Sequence, residues 1–205
     1  MRTHTKESQQ NMTPEKALQY LIEGNERFVQ NLKAHRDHLD QVNETREGQY
    51  PFATILSCID SRVSAELVFD QGLGDIFSIR IAGNVLNEDI LGSMEFACKI
   101  AGSKLIVVLG HTRCGAVNGA VSDVKMGSLT GLLSKIKPAI ETVEKATNHE
   151  HGSAPFLDEV VEQNVRDVAK EILKKSPILA EMVKNGEIDI AKGVYSVDTG
   201  KVEFC

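Results

Sequence analysis

The sequence has no tryptophan, and aromatic residues make up only 5% of its 205 residues. Long apolar runs are also missing: the longest, Leu105 to Leu109, is far too short to cross a bilayer. Basic residues do not cluster, and the net charge is -6 with a pI near 5.6. An acidic chain without a basic run is a poor ligand for nucleic acid or an anionic membrane. We therefore expect neither a nucleic-acid partner nor a membrane partner.

The chain also lacks the features of a secreted, disulfide-rich protein. Residues 1–11 are polar and contain no apolar core segment, so they do not resemble a secretory signal. The four cysteines are scattered, and none forms a C-x-x-C pair. We expect a cytoplasmic protein whose cysteines bind metal or are buried, because disulfides are rare in a reducing compartment.

Ordinary composition, with 41% hydrophobic and 25% charged residues, suits a folded domain. Short apolar runs alternate with segments of helical periodicity, which predicts a mainly parallel sheet flanked by helices. The last strand and the turn at residues 198–200 predict a C-terminal β-hairpin. The fold class is therefore a single α/β domain. The predicted strands are Phe52 to Ser57, Ile76 to Ile81, Lys104 to Leu109, Ile188 to Val197 and Lys201 to Phe204.

The first part of the chain predicts a separate helical arm, residues 1–33, before an α/β core at residues 50–205. Met12 to Leu32 has helical periodicity, with Thr13 as the N-cap and Pro14 at the first helical position. Residues 34–49 are polar and predict a connector. Because the connector separates the helix from the core, we expect the helix to pack away from its own sheet, on a partner subunit.

Two short motifs carry the candidate chemistry. Cys58-x-Asp60-x-Arg62 follows the first predicted strand, and His111-x-x-Cys114 follows the third. In open parallel sheets, ligands bind at the carboxyl ends of the strands. Both motifs are therefore expected to face one crevice.

Cys58, His111 and Cys114 form a ligand set that suits Zn²⁺ and leaves one tetrahedral position open, as in catalytic sites. Taken singly, a cysteine or histidine at a strand end is more often a buried structural residue. The metal site is favoured because the three side chains occur together at matching strand ends.

Asp60 lies two residues from a predicted ligand and two from Arg62. Its carboxylate is either a fourth metal ligand or is held off the metal by the guanidinium, which pairs bidentately with carboxylates. A simple salt bridge at the strand end is the less favoured alternative.

The remaining cysteines and histidines predict no site. Cys98 falls on the apolar stripe of a predicted helix, so burial explains it, and Cys205 is terminal. His149 and His151 lie in a polar stretch that predicts a solvated loop.

At these motifs the chain resembles the beta-carbonic anhydrases, whose signature is Cys-x-Asp-x-Arg followed by His-x-x-Cys. The segment Phe69 to Asn84, the opening TPEKALQYLIEGNERFV and the closing VYSVDTGKVEF are also similar to that family. The resemblance therefore covers nearly the whole chain.

The resemblance implies Zn²⁺ on Cys58, His111 and Cys114, with Asp60 and Arg62 as a catalytic dyad. It also implies four substrate-binding residues and an assembly, a homodimer or homotetramer, in which the pocket is shared across the interface. Together with the lack of tryptophan, it predicts an open site with Asp60 off the metal. The substrate-binding residues are Gln49, Phe77, Ala82 and Phe96.

The implied reaction is the reversible hydration of carbon dioxide to bicarbonate and a proton, by hydroxide on zinc. One alternative is hydrolysis of carbon disulfide or carbonyl sulfide at the same site. Another is a non-catalytic, zinc-stabilised assembly domain, although such a domain would not need Asp60 and Arg62.

Overall fold

A computed structural model describes residues 3–205. One five-stranded sheet in the order β2-β1-β3-β4-β5 organises it. The first four strands are parallel, and β5 pairs antiparallel with β4. The fold class is confirmed, including the C-terminal hairpin. The strands are β1 Ala53–Ser57, β2 Ile76–Arg80, β3 Leu105–His111, β4 Asp189–Tyr195 and β5 Val202–Phe204.

Helices cover both faces of the sheet. Two short 3₁₀ turns, Ala82–Asn84 and Ser134–Ile136, and a π-helical turn, Phe96–Ile100, interrupt the helical segments. The α-helices are α1 Lys6–Gln10, α2 Pro14–Val29, α3 His38–Thr45, α4 Ala65–Val68, α5 Glu88–Glu95, α6 Gly115–Val121, α7 Gly127–Leu133, α8 Lys137–Ala146, α9 Ala154–Lys175 and α10 Pro177–Lys184.

The central strands are buried on both faces, as parallel strands between helices require. On one face, Ile55, Val107 and Leu109 pack with residues of α2 and α4. On the other, Leu56 and Val108 pack with α5, α9 and α10. A third apolar cluster lies beyond the strand ends, among α6, α8 and α9, and contains Cys58 and Cys114.

The prediction that α2 packs away from its own sheet is wrong. Ala17 and Leu21 are fully buried in the cluster that also contains Phe52 and Ile55 of the same chain. The apolar face of a helix must be covered, and here the sheet of the same chain covers it. Thr13 caps the helix, as predicted, by accepting a hydrogen bond from the Lys16 amide.

The predicted connector, residues 34–49, contains helix α3, which the sequence did not indicate. Asp37 caps this helix by accepting hydrogen bonds from the amides of Leu39 and Asp40. Only Gln41 is buried, whereas Leu39 and Val42 are exposed. The helix therefore has no apolar stripe toward the core, which is the signal that periodicity depends on.

Candidate metal centre

The carboxyl ends of β1 and β3 bring the two motifs together. Ser57 pairs in register with Leu109, so Cys58 leaves its strand beside His111. Cys114 lies at the N-cap of α6, where the chain turns away from β3. Ligand atoms of Cys58, His111 and Cys114 all lie within 4.8 Å of one another, and all three residues are buried. Within residues 3–205, no other group of three such side chains meets this criterion.

The His111 ring is prepared to bind a cation through Nε2. Its Nδ1 lies 2.9 Å from the carbonyl oxygen of Thr112. A carbonyl can only accept, so Nδ1 carries the proton and Nε2 keeps a free lone pair. Nε2 is buried, and no described residue hydrogen-bonds to it. A buried orphan nitrogen facing two thiols fits a metal ion as the missing partner.

The thiol groups of Cys58 and Cys114 differ in the direction in which their pKa is shifted. A hydrogen bond from the Cys114 thiol holds the pKa of Cys58 well below its usual range, against the opposing effect of burial. The same hydrogen bond and burial raise the pKa of Cys114. This hydrogen bond favours the thiolate form of Cys58 over that of Cys114, and the set of two sulfurs and one imidazole fits zinc.

The Gly83 backbone amide and the Arg80 side chain hold the first candidate ligand from two sides. The Gly83 amide donates to Cys58 Sγ at 3.3 Å. Arg80, at the end of β2, donates from Nε to the Cys58 carbonyl at 3.0 Å and from Nη2 to the Asp60 carbonyl at 2.6 Å. The position of the Cys58 loop is therefore fixed by the neighbouring strand and turn.

Asp60 and Arg62 form a two-pronged ion pair at the mouth of this cluster. Arg62 donates from Nε to Oδ1 at 2.9 Å and from Nη2 to Oδ2 at 2.8 Å. The Arg62 hydrogen bond lowers the pKa of Asp60, so the carboxyl is ionised at neutral pH. Oδ2 lies 4.0 Å from His111 Nε2, which makes the pair part of the site rather than a remote salt bridge.

A cavity of about 500 Å³ opens beside Cys58 and Asp60. Its walls are largely apolar, and of the four predicted substrate-binding residues only Ala82 lines it. Apart from Cys58 and Asp60, the sequence reasoning missed the rest of the lining, which comes mainly from α6, α7 and the loop between them. The apolar lining includes Ala116, Val124, Leu129 and Leu133.

Phe77 and Phe96 lie elsewhere on the molecule. They line a second groove, about 720 Å³, between β2 and α5. Gln49 is exposed and lines neither groove. Within one protomer, the structure does not bring Gln49, Phe77 and Phe96 to the cysteine cluster.

The residues assigned no role behave as expected. Cys98 is buried at 3% exposure in the apolar cluster of α5, and burial raises the pKa of its thiol to about 12. Cys205 is exposed. His149 and His151 are exposed and pair with Glu159 and Glu144.

Residues 53–202 match the family model for carbonic anhydrase. The protein named carbonic anhydrase 2 from Mycobacterium tuberculosis is 37% identical over 193 residues, 93% of this chain and 92% of that protein. This chain belongs to the beta-carbonic anhydrase family. Its fold agrees: the beta-carbonic anhydrase CcaA superposes with a TM-score of 0.75 at 25% identity, covering 91% of this chain and 86% of that one.

Tetrameric beta-carbonic anhydrases of the ascomycete Sordaria macrospora share the fold as well. The superposition has a TM-score of 0.72 at 22% identity, over 79% of this chain and 84% of that one. Among residues 3–205 of this carbonic anhydrase, no helix has both the length and the apolar character to cross a bilayer.

Proposed function

We propose that this carbonic anhydrase uses Zn²⁺, held by Cys58, His111 and Cys114, to hydrate carbon dioxide to bicarbonate and a proton. The observation that carries the proposal is the unpartnered Nε2 of His111, buried and converging with two sulfur atoms. When bound, zinc supplies a Lewis acid that lowers the pKa of coordinated water to about 7.

Asp60 is proposed to orient the nucleophile derived from water. Both oxygens of its carboxylate are held by Arg62, and an ionised carboxylate can only accept hydrogen bonds. It therefore accepts a hydrogen bond from the nucleophile and directs a lone pair toward the substrate carbon. The same two hydrogen bonds from Arg62 favour the open arrangement, in which Asp60 does not bind the metal.

The apolar cavity beside Asp60 is proposed to receive carbon dioxide, which is small and apolar. Most of the cavity lining is apolar, and Asp60, Asn118 and Ser122 are the polar side chains beside Cys58. The released proton passes to buffer, so that one water and one carbon dioxide give one bicarbonate and one proton.

We further propose a homo-oligomer, a dimer or tetramer, in which the groove of Phe77 and Phe96 and the exposed Gln49 complete the cavity of a second copy. Three observations support it. Phe96 is 54% exposed, Ile59 beside the first ligand is 60% exposed, and the predicted pocket residues lie apart within one chain. Large exposed apolar side chains mark association surfaces.

A cytoplasmic location is proposed from the thiols. All four cysteines are free, and three of them are buried without a disulfide partner. Such usage suits a reducing compartment.

Metal analysis together with a carbon dioxide hydration assay tests the function. We expect one zinc per chain and fast hydration that is lost when a chelator removes the metal. Protein with full zinc that hydrolyses carbon disulfide but does not hydrate carbon dioxide would contradict the proposed substrate.

A further inference from the structure

Asn164 is an unusual residue in the middle of helix α9. It is 3% exposed and lies on the face formed by Val160, Val161 and Val165, which fill the core. Burying an amide among valines is unfavourable unless the amide is hydrogen-bonded. The hydrogen-bond partner of Asn164 therefore indicates the role of this residue.

The partner belongs to the turn that holds the first ligand. Asn164 Nδ2 donates to the Gly83 carbonyl at 2.9 Å. The Gly83 amide in turn donates to Cys58 Sγ at 3.3 Å. Two successive hydrogen bonds thus connect α9 with the sulfur of Cys58 through a single glycine.

The turn at Gly83 needs support from outside. Gly83 has φ +67° and Asn84 has φ 42°, so two successive residues adopt the left-handed region. A side chain at Gly83 would bring its Cβ to 2.9 Å from Ile136 Cδ1, so the backbone lies directly against its neighbour. Such conformations persist where surrounding contacts determine them.

We propose that Asn164 is a positioning residue for the metal centre, which fixes the Gly83 amide on the Cys58 thiolate. The inference rests on the proposed function, because it concerns the ion that Cys58 would hold. A hydrogen bond to sulfur stabilises the charged thiolate and orients its lone pairs toward the cation. Outer partners of this kind typically change metal affinity by about 10- to 100-fold.

The test is Asn164→Leu, which keeps the shape of the side chain and removes its donor. We expect zinc affinity, measured by competition with a chromogenic chelator, to fall about 10-fold or more. In cobalt-substituted protein, the sulfur-to-metal charge-transfer band should move to lower energy, because a thiolate without its hydrogen bond gives up electrons more easily. A residue that only supports packing would not shift that band.

Asn25→Leu is the matched control. Asn25 is also a buried asparagine, 5% exposed, and its amide donates to the Val68 and Gly200 carbonyls. This variant should lose thermal stability while keeping the zinc affinity and cobalt spectrum of the wild type. If Asn164→Leu does not fold, Asn164→Ser, which is too short to reach Gly83, takes its place in both measurements.

The outcomes separate this inference from the function on which it rests. A wild-type protein that binds zinc tightly, with an Asn164 variant of equal affinity and unchanged cobalt spectrum, overturns the role of Asn164 alone. A wild-type protein that binds no metal overturns both proposals.

Discussion

At the scale of single residues, each of the three candidate ligands supplies something that the other two do not. His111 contributes an imidazole nitrogen, Cys58 a sulfur whose pKa is lowered, and Cys114 a sulfur whose pKa is raised. Replacing any one of them by alanine should abolish zinc binding and hydration together, because two donors hold the ion poorly. Elemental analysis of each purified variant measures this. Full zinc in Cys58→Ala would contradict the ligand assignment.

Cys98→Ser is the control for those substitutions. Cys98 is buried in the α5 cluster, away from the three candidate ligands. A hydroxyl placed there without a partner should lower the free energy of unfolding by about 1–3 kcal/mol. Zinc stoichiometry should stay at the wild-type value, as elemental analysis of the folded variant will show.

The Asp60 carboxyl predicts a particular pH dependence. Arg62 lowers the pKa of Asp60 from an ordinary value near 4, so the group is already ionised everywhere above that pH. Asp60→Asn should therefore reduce kcat/KM by the same factor at every pH from about 5 to 9. Stopped-flow hydration assays across that range measure the ratio. A ratio that changes through this window would mean that Asp60 titrates during catalysis.

Arg62→Ala tests the role of the arginine in the ion pair between Asp60 and Arg62. Without the guanidinium, the Asp60 carboxylate keeps only the hydrogen bond that the backbone amide of residue 62 donates to Oδ1, and it lies 4.0 Å from His111 Nε2 in the present arrangement. We expect zinc to be retained and hydration to fall, because the carboxylate then competes for the open metal position. Metal analysis combined with X-ray absorption at the zinc edge distinguishes this from simple loss of the ion.

At the scale of elements, helix α2 is the one whose role differs most from expectation. Leu21 is fully buried against the sheet, whereas Leu32, just past the helix, is 63% exposed. Leu21→Ala should lower the free energy of unfolding by about 2–5 kcal/mol. Leu32→Ala should change it by less than about 0.5 kcal/mol, and denaturant titration compares the two. Equal, small effects would mean that α2 does not stabilise this chain.

The strands and the ligand cluster could be predicted because each has a local sequence signal. Apolar runs end directly at Cys58 and close to His111, and the parallel arrangement brings such ends together. Helix α3 could not, since it has no apolar period of its own.

The hydrogen bonds that position the candidate ligands could not be predicted from the sequence either, because they join distant segments of the chain. Asn164 does lie on the apolar face of α9, and a polar residue on such a face is a usable signal. Its target, the Gly83 carbonyl, depends on how α9 crosses the strand ends, which no local pattern indicates. Sequence reasoning therefore identified the candidate ligands but missed the residues that position them.

At the scale of the whole molecule, the two grooves are complementary. One is lined by Cys58 and Asp60 but by no aromatic side chain, and the other contains Phe77 and Phe96 but no candidate ligand. If a second copy brings the two grooves together, a variant with a substitution in one groove should regain activity when it pairs with a variant that has a substitution in the other groove. This makes the shared pocket testable without a structure of the assembly.

Cys58→Ala and Phe96→Ala should each have low activity as pure proteins. Co-expressed in equal amounts, they form mixed dimers with one intact site, so hydration should recover to about a quarter of the wild-type value. Differently tagged chains allow the mixed species to be purified and assayed. Activity no higher than the mean of the two pure variants would show that each pocket is complete within one chain.

The pairing of β1 with β3 has a consequence for how the protein is made. Cys58 follows the first strand, but His111 and Cys114 reach it only once β3 has docked beside β1. Parallel strands joined through helices pair late, because the chain must first close a long loop. A newly synthesised chain therefore does not bring the three candidate ligands together until most of the sheet exists. Zinc added during refolding should leave the rates of the early kinetic phases unchanged and should bind only in the final phase. The time course of zinc binding therefore measures when the sheet is complete.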